Sequence, residues 1–305
     1  ALPICPVGVA SPEGFPFSFT RCVGDNDFQR GHSYYFPVRI AAQADAAAGL
    51  FRENAAPRAN LSTGARACLA EMGFANPDSD ASIAGAIWFH ALAIGYSAAY
   101  LTENADGIRR DWPRIPLPRD RAKFEASAAL GERVAALLDT EAEIAGVTTG
   151  NVGGLFRTVG AIQKSDGAAI NPASDDLAVT AGWGHGGGDS PVMPGRGRVE
   201  ERERTTAERD ALAAQARVAR MTLEQTQTLL GEKVLDVYLN GEVFWQNVPE
   251  AVWNYYIGGY QVVKKWLSYR EKDVLGRNLK PEEAREVTNM IRRLTALVLM
   301  GPELD

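Results

Sequence analysis

Residues 82–101, SIAGAIWFHALAIGYSAAYL, are apolar around almost the whole circumference of a helix. A surface helix carries one apolar stripe, so a helix apolar on every side must lie inside a larger body. Asp80 and Ser82 stand before it as cap candidates, because a short side-chain oxygen there accepts first-turn N–H groups. The next segment, ENADGIRRDWPRIPLP, holds three prolines and several turn formers, which excludes regular helix across it. Helical spacing returns after Pro118. Phe124, Ala128, Val134, Leu137 and Leu138 then line one face, with charges opposite.

Shorter signals flank these two helices. LSTGARACLAEMG (61–73) predicts a helix started by Ser62 or Thr63 and ended by Gly73. Upstream, HSYYFPVRI has strand composition, and residues 41–60 read as a linker or exposed irregular segment. Between 145 and 200, LAVTAGW predicts a strand and HGGGDSPVMPGRG a loop. TTAERDALAAQARVARMTLEQTQTLLG predicts one helix, capped by Thr205 or Thr206 and stopped at Gly231. EKVLDVYLNGEVFWQNV predicts a hairpin turning through a type I′ Asn240-Gly241 pair. A Gly258-Gly259 break precedes a basic helix. A last helix starts at Pro281, with Glu282 and Glu283 suiting its N-terminus. The expected class is α+β. A helical base would carry a β-containing body of about 146–258, and the C-terminal helices would close the core.

The 305 residues are 46% hydrophobic, ample for a buried core. No apolar run reaches the roughly 18 residues of a membrane span, and the start has no signal-peptide pattern. That start, ALPICPVGVASPEG, lacks an initiator Met and any cap or strand pattern, so it reads as truncated or excised. Cys5, Cys22 and Cys68 are far apart and lack CxxC spacing, which speaks for reduced thiols in a cytoplasmic protein rather than a disulfide framework or zinc site. GWGHGGG is neither a dinucleotide fingerprint nor a P-loop, and no HExxH or GxSxG occurs. There is no Asn/Asp-Pro-Pro-Tyr/Phe motif and no glycine-rich S-adenosylmethionine loop. His90 reads as a satisfied core histidine inside its apolar helix. His185 lies among glycines that suit either a functional loop or a flexible turn. No catalytic residue and no bound cofactor or metal is expected in this chain.

The net charge of −6 speaks against a nucleic-acid binder, but the distribution does not. Residues 106–123 gather Arg109, Arg110, Arg114, Arg119, Arg121 and Lys123 against three aspartates. Residues 264–280 gather Lys264, Lys265, Arg270, Lys272, Arg277 and Lys280 against Glu271 and Asp273. A groove that contacts phosphates needs such segregation. In the first stretch, guanidiniums on a proline-stiffened loop suit bidentate contacts. The same loop also suits a surface strap whose Trp112 and Ile115 plug a domain interface. In the second, Lys265, Tyr269 and Lys272 would share one helix side, which is equally an ordinary solvated face. Arg196 and Arg198 stand on MPGRG, where Gly195 and Gly197 would allow close approach to a duplex.

Two long segments carry a resemblance. IWFHALAIGYSAAYLTENADGIRRDWPRIPLP with RAKFEASAALGERVAALLD, and VWNYYIGGYQVVKKWLSYREKDVLGRNLKPEEAREVTNMIRRLTALVLM, resemble the C-terminal target-recognition region of type ISP restriction–modification enzymes. GWGH, MPGRG and LDVYLNGEVFWQNVPEAVW fall between them in the family's order, and EGFPFSFTRCVGDNDFQRGHSYYFPV is similar to its upstream joining segment. The likeness covers roughly residues 11–303. It implies a connecting segment at 1–60, a helical part at 61–145 and a β-containing specificity domain at 146–305. It also implies double-stranded DNA as partner, with an N6-adenine methyltransferase upstream on the same polypeptide. S-adenosylmethionine, ATP and Mg would then belong to upstream domains. Under it, Arg109, Arg110, Arg114, Arg196, Arg198, Lys264, Lys265 and Arg270 are candidates for phosphate or groove contact, and Asn104 and Gln261 for base reading. A stand-alone methyltransferase and a protein-interaction domain without DNA are the competing readings.

Overall fold

The computed structural model describes residues 2–6, 17–22, 24, 33–41, 56–108, 110–187, 190–257 and 260–305. Its class is α+β. The chain divides into two compact units, residues 1–139 with 301–305, and residues 140–300.

In the first unit, β1 (Leu2–Pro6) pairs antiparallel with β2 (Ser18–Thr20) and β3 (Ser33–Tyr35), and β4 (Arg39–Ile40) pairs with β5 (Arg58–Ala59). Helix α1 (Thr63–Glu71) starts at Ser62, whose hydroxyl accepts from Ala65 N. Helix α2 (Ala81–Gly95) starts at Asp80, which accepts from Ser82 N. Two short helices follow, α3 (Ala98–Glu103) and α4 (Ala105–Ile108), so helix reaches further into the ENADGI stretch than its turn formers suggest. Asn104 joins them, capping α3 and leaving only residues 111–118 extended. Helix α5 (Arg121–Leu138) is capped by Asp120.

Helices α2 and α5 pack face to face. Phe124, Ala128, Val134 and Leu137 of the predicted stripe are buried and Leu138 is half-buried; Ala135 joins them, with Ala84, Leu92 and Ala93 from α2. The contact is close because Gly131 has no side chain, and a Cβ there would overlap the Phe89 carbonyl oxygen. Leu69 of α1 and Met72 at its C-cap extend this core around Phe124. The short helix Gly301–Leu304 returns to this unit, where Glu303 pairs with Arg133 and Asp305 accepts from Ser97 Oγ and Ala99 N, both at 2.9 Å.

The second unit is built on an antiparallel sheet. In chain order its elements begin with α6 (Gly154–Thr158), β6 (Ala161–Lys164), β7 (Gly184–Gly187), β8 (Ser190–Pro194) and β9 (Val199–Arg202). Then come α7 (Thr206–Val218), α8 (Leu223–Leu230), β10 (Val234–Tyr238), β11 (Val243–Pro249) and α9 (Glu250–Trp253). The unit closes with β12 (Tyr256–Ile257), β13 (Tyr260–Gln261), α10 (Val262–Ser268), α11 (Lys272–Leu275) and α12 (Pro281–Leu299). The sheet order is β6-β11-β10-β9. Helix α12 packs on this sheet and buries Val287, Ile291 and Leu294, while Val234, Val237, Trp245 and Val248 are buried on the strands.

Four local expectations change here. The single helix over 206–230 is two, because Arg220 turns the chain at φ +55° and Thr222 with Gln225 forms a second capping box. The β10–β11 hairpin holds, but neither Asn240 nor Gly241 has positive φ. Asn240 Oδ1 accepts from Glu242 N and Val243 N instead, and this side-chain clamp closes the turn without type I′ geometry. A bulge lies in the same ladder, where Asn247 has φ +53° and its N–H donates to buried Asp236. Finally, 177–183 is not a strand. Strand pairing begins at Gly184, inside the glycine run that reads as a loop. The Gly258-Gly259 break lies outside the described residues. Among those described, no helix is long and apolar enough to cross a membrane.

Candidate nucleic-acid interface

In the first unit the cations sit on a strap, residues 111–118, pinned from below at two carbonyls. Tyr100 Oη donates to the Arg114 carbonyl at 2.9 Å. His90 Nε2 lies 2.8 Å from the Pro116 carbonyl, and its Nδ1 lies 2.8 Å from Ser127 Oγ. A carbonyl can only accept, so Nε2 carries the proton and Nδ1 accepts from the hydroxyl. The prolines make this anchoring necessary, since they remove the N–H groups a strap would otherwise use. The Arg114 side chain then points outward, 91% exposed, with Asp111 as its nearest carboxylate at 3.8 Å. Arg110 and Arg119 are exposed too, whereas Arg109 lies outside the described residues. Asn104 donates its amide to the Tyr100 carbonyl at 2.9 Å.

His90 is 1% exposed, and burial pushes its imidazole below the ordinary 6.5, opposed by the hydrogen bond to Pro116. The unfolded chain therefore takes up a proton that the folded chain refuses. The stability contributed by neutral His90 is fully present above about pH 6.5 and is lost as pH falls toward the depressed folded value. Thermal midpoints at about pH 7.5 and about pH 5.5 should differ more for the native chain than for His90→Gln. Equal differences would place the acid sensitivity elsewhere.

In the second unit the cations gather around α10. Lys265 Nζ stands between two rings, 4.6 Å from Tyr260 and 4.5 Å from Tyr269. The Arg270 guanidinium lies 3.9 Å over Trp266, and burial lowers its pKa, with Glu286 and Glu283 pulling the other way. A guanidinium keeps its charge through such a shift. Lys264 is half-buried and has no carboxylate partner among the described residues. The helix ends at Ser268, so Lys272 leaves that face and pairs with Asp175 at 2.9 Å. Gln261, at the N-cap of α10, donates to the Trp253 carbonyl.

The hairpin β7–β8 lies against α10. A Cβ at Gly184 would overlap the Ser268 carbonyl. Trp183 is fully buried, with its Nε1 donating to the Tyr238 carbonyl at 2.7 Å. The two glycines of MPGRG serve this packing rather than an approach to a duplex. At Gly195 a Cβ would overlap the Gly182 carbonyl, and at Gly197, with φ +68°, it would enter the Trp183 ring. His185 is exposed and pairs across the hairpin with Met193, 55% exposed. Arg196 is exposed without a carboxylate partner among the described residues. Arg198 is held by its own neighbours, 2.6 Å from Glu200 and 3.9 Å over the Tyr238 ring.

The structure thus brings Arg110, Arg114 and Asn104 together in one unit, and Lys264, Lys265, Arg270 and Gln261 in the other. Tyr100 as a strap anchor escaped the sequence reading, whereas His90 is the satisfied core histidine its apolar helix suggests. The signal for such an anchor was the prolines, which demand outside partners. Among the described residues no group of three or more His, Cys, Asp or Glu side chains gathers as a metal site would.

A family model described as the type ISP C-terminal specificity domain matches residues 2–296. No curated protein and no solved structure matches the chain.

Proposed function

We propose how this chain, which belongs to the type ISP C-terminal specificity domain family, does its work: it holds double-stranded DNA in register for a restriction–modification enzyme. Exposed cations contact phosphates, and a few side chains reach base edges in the major groove. An N6-adenine methyltransferase domain upstream on the same polypeptide does the chemistry, with S-adenosylmethionine. ATP and Mg serve further upstream domains, and the work takes place in the cytoplasm. The observation that carries this reading is Arg114. Its backbone is pinned by Tyr100 while its guanidinium stands 91% exposed, paired only at 3.8 Å with Asp111, which is itself exposed. A positioned guanidinium so exposed suits an anionic backbone. Exposed Arg110 and Arg196 and half-buried Lys264, each without a carboxylate partner among the described residues, support it. Arg198, Lys265 and Arg270 are engaged with the protein's own groups, so their contribution is to shape the surface. Asn104 and Gln261 would each have to exchange an existing amide bond before pairing with adenine.

The test is fluorescence anisotropy of a random duplex across about 50–200 mM salt. Affinity should fall linearly on a log–log plot, and Lys264→Ala should flatten the slope by about 0.9, one phosphate contact. Absence of binding at low salt defeats the reading and favours a protein partner instead.

A further inference from the structure

The strap also carries aromatic surface that duplex phosphates do not explain. Trp112 is 40% exposed and Tyr34 45% exposed. Their rings meet edge to face, with centroids 5.4 Å apart at 80°. From the inside Phe36 meets Trp112 at 5.5 Å and 87°, and Phe36 itself stacks on Trp88 at 5.7 Å. Trp112 is therefore braced below, and the two pinned carbonyls at Arg114 and Pro116 fix the backbone beside it. Its backbone N–H donates to Asp111 Oδ1 at 2.8 Å, and the other oxygen of that exposed carboxylate lies 3.8 Å from Arg114. Exposed Arg110 and Arg114 flank the indole in sequence.

A large aromatic held half in water costs apolar exposure unless something covers it. The neighbouring cations select an anionic cover over a hydrophobic protein face. An intact duplex presents its base faces only at its ends, so phosphate contact alone would leave the ring uncovered. A base out of the helix presents a flat apolar face flanked by phosphates, which matches an indole flanked by guanidiniums.

Resting on the DNA reading above, we propose that Trp112 and Tyr34 form a stacking platform for a single unpaired DNA base whose flanking phosphates lie on Arg110 and Arg114.

The experiment compares two labelled duplexes of one sequence, one fully paired and one with a single bulged 2-aminopurine, on the whole 305-residue chain. Stacking adds about 1–3 kcal/mol per base, so the bulged duplex should bind roughly tenfold tighter, with 2-aminopurine emission quenched on binding. For Trp112→Leu and Tyr34→Leu the ratio of the two affinities should fall toward one and the quenching should weaken. Trp112→Phe, which keeps an aromatic face, should retain most of both. Circular dichroism establishes that each variant is folded. Equal affinity for the two duplexes, or an advantage that survives Trp112→Leu, overturns the platform while leaving duplex binding intact. If neither duplex binds, the DNA reading itself fails and takes the platform with it.

Discussion

Gly131→Ala is expected to lower the stability of the first unit by about 3 kcal/mol or more. Two effects oppose each other at this position. Alanine is the better helix former, and inside α5 that preference is worth about 1 kcal/mol in the variant's favour. Against it stands the Phe89 carbonyl of α2, which occupies the space a Cβ would need. The obstacle is backbone, not the end of a flexible side chain, so relief requires the two helices to separate. Separation loosens the contacts that bury Phe124, Val134 and Ala135, and interiors packed at crystal density have little slack to absorb it. The clash therefore wins. Gly107→Ala is the matched control, since no atom lies within 4 Å of its Cβ position and its φ is ordinary. That variant should be neutral or up to about 1 kcal/mol more stable. Thermal unfolding followed at 222 nm reads both, and similar midpoints for the two variants would refute the close-contact account.

The same glycine explains what the sequence makes legible. Local signals carried far: Ser62, Asp80 and Thr205 each cap the helix they precede, because a cap needs only its own first turn. The stripe of α5 was likewise readable from spacing alone. Gly131 sits on that stripe, but which carbonyl it faces depends on a helix some 40 residues away. The strands β7 and β8 failed for a related reason. Glycine has poor strand propensity, yet Gly184 pairs in a ladder because only a residue without a side chain fits beneath the Ser268 carbonyl. The Thr222–Gln225 box, by contrast, was present as a local pattern and simply lay inside a longer helical run. At the candidate interface, composition located the cationic stretches but not their engagement. Arg198 is held at 2.6 Å by Glu200 two residues on, whereas Arg114 pairs with Asp111 three residues back only at 3.8 Å, although the two spacings look equally suited to pairing. Arg198 also has the Tyr238 ring beneath it, while Arg114 stands 91% exposed with no ring against it among the described residues.

Glu271→Ala is expected to cost about 2–4 kcal/mol in the second unit and to loosen the hairpin β7–β8 specifically. Glu271 follows α10 and caps α11, and it is only 7% exposed. Its carboxylate accepts from Gly182 N at 3.1 Å and from Trp183 N at 2.7 Å. These are backbone donors at the point where the chain enters β7, and removing the acceptor leaves both without a partner. Leaving the buried Trp183 donor unpaired costs about 1–3 kcal/mol, and the more exposed Gly182 donor adds less. Part of that is recovered if water enters the vacated space, which sets the lower end of the range. Glu271→Gln keeps one acceptor oxygen but turns an N–H toward the second donor, so it should retain roughly half of the stabilisation. Trp183 keeps its bond to the Tyr238 carbonyl in either variant, so the sheet should persist while the hairpin opens. Hydrogen exchange distinguishes this from global unfolding. Amides of residues 182–187 should exchange faster at temperatures where those of β10 and β11 remain protected. Uniform acceleration across the unit, or no acceleration at Trp183, would show that the carboxylate is not the clamp. Glu271 follows α10 by three residues, so its carboxylate adds a tie between the hairpin and the segment that carries Lys264, beside the direct packing of β7 and β8 on α10. A selectively opened hairpin should therefore bind duplex DNA more weakly than the stability loss alone predicts.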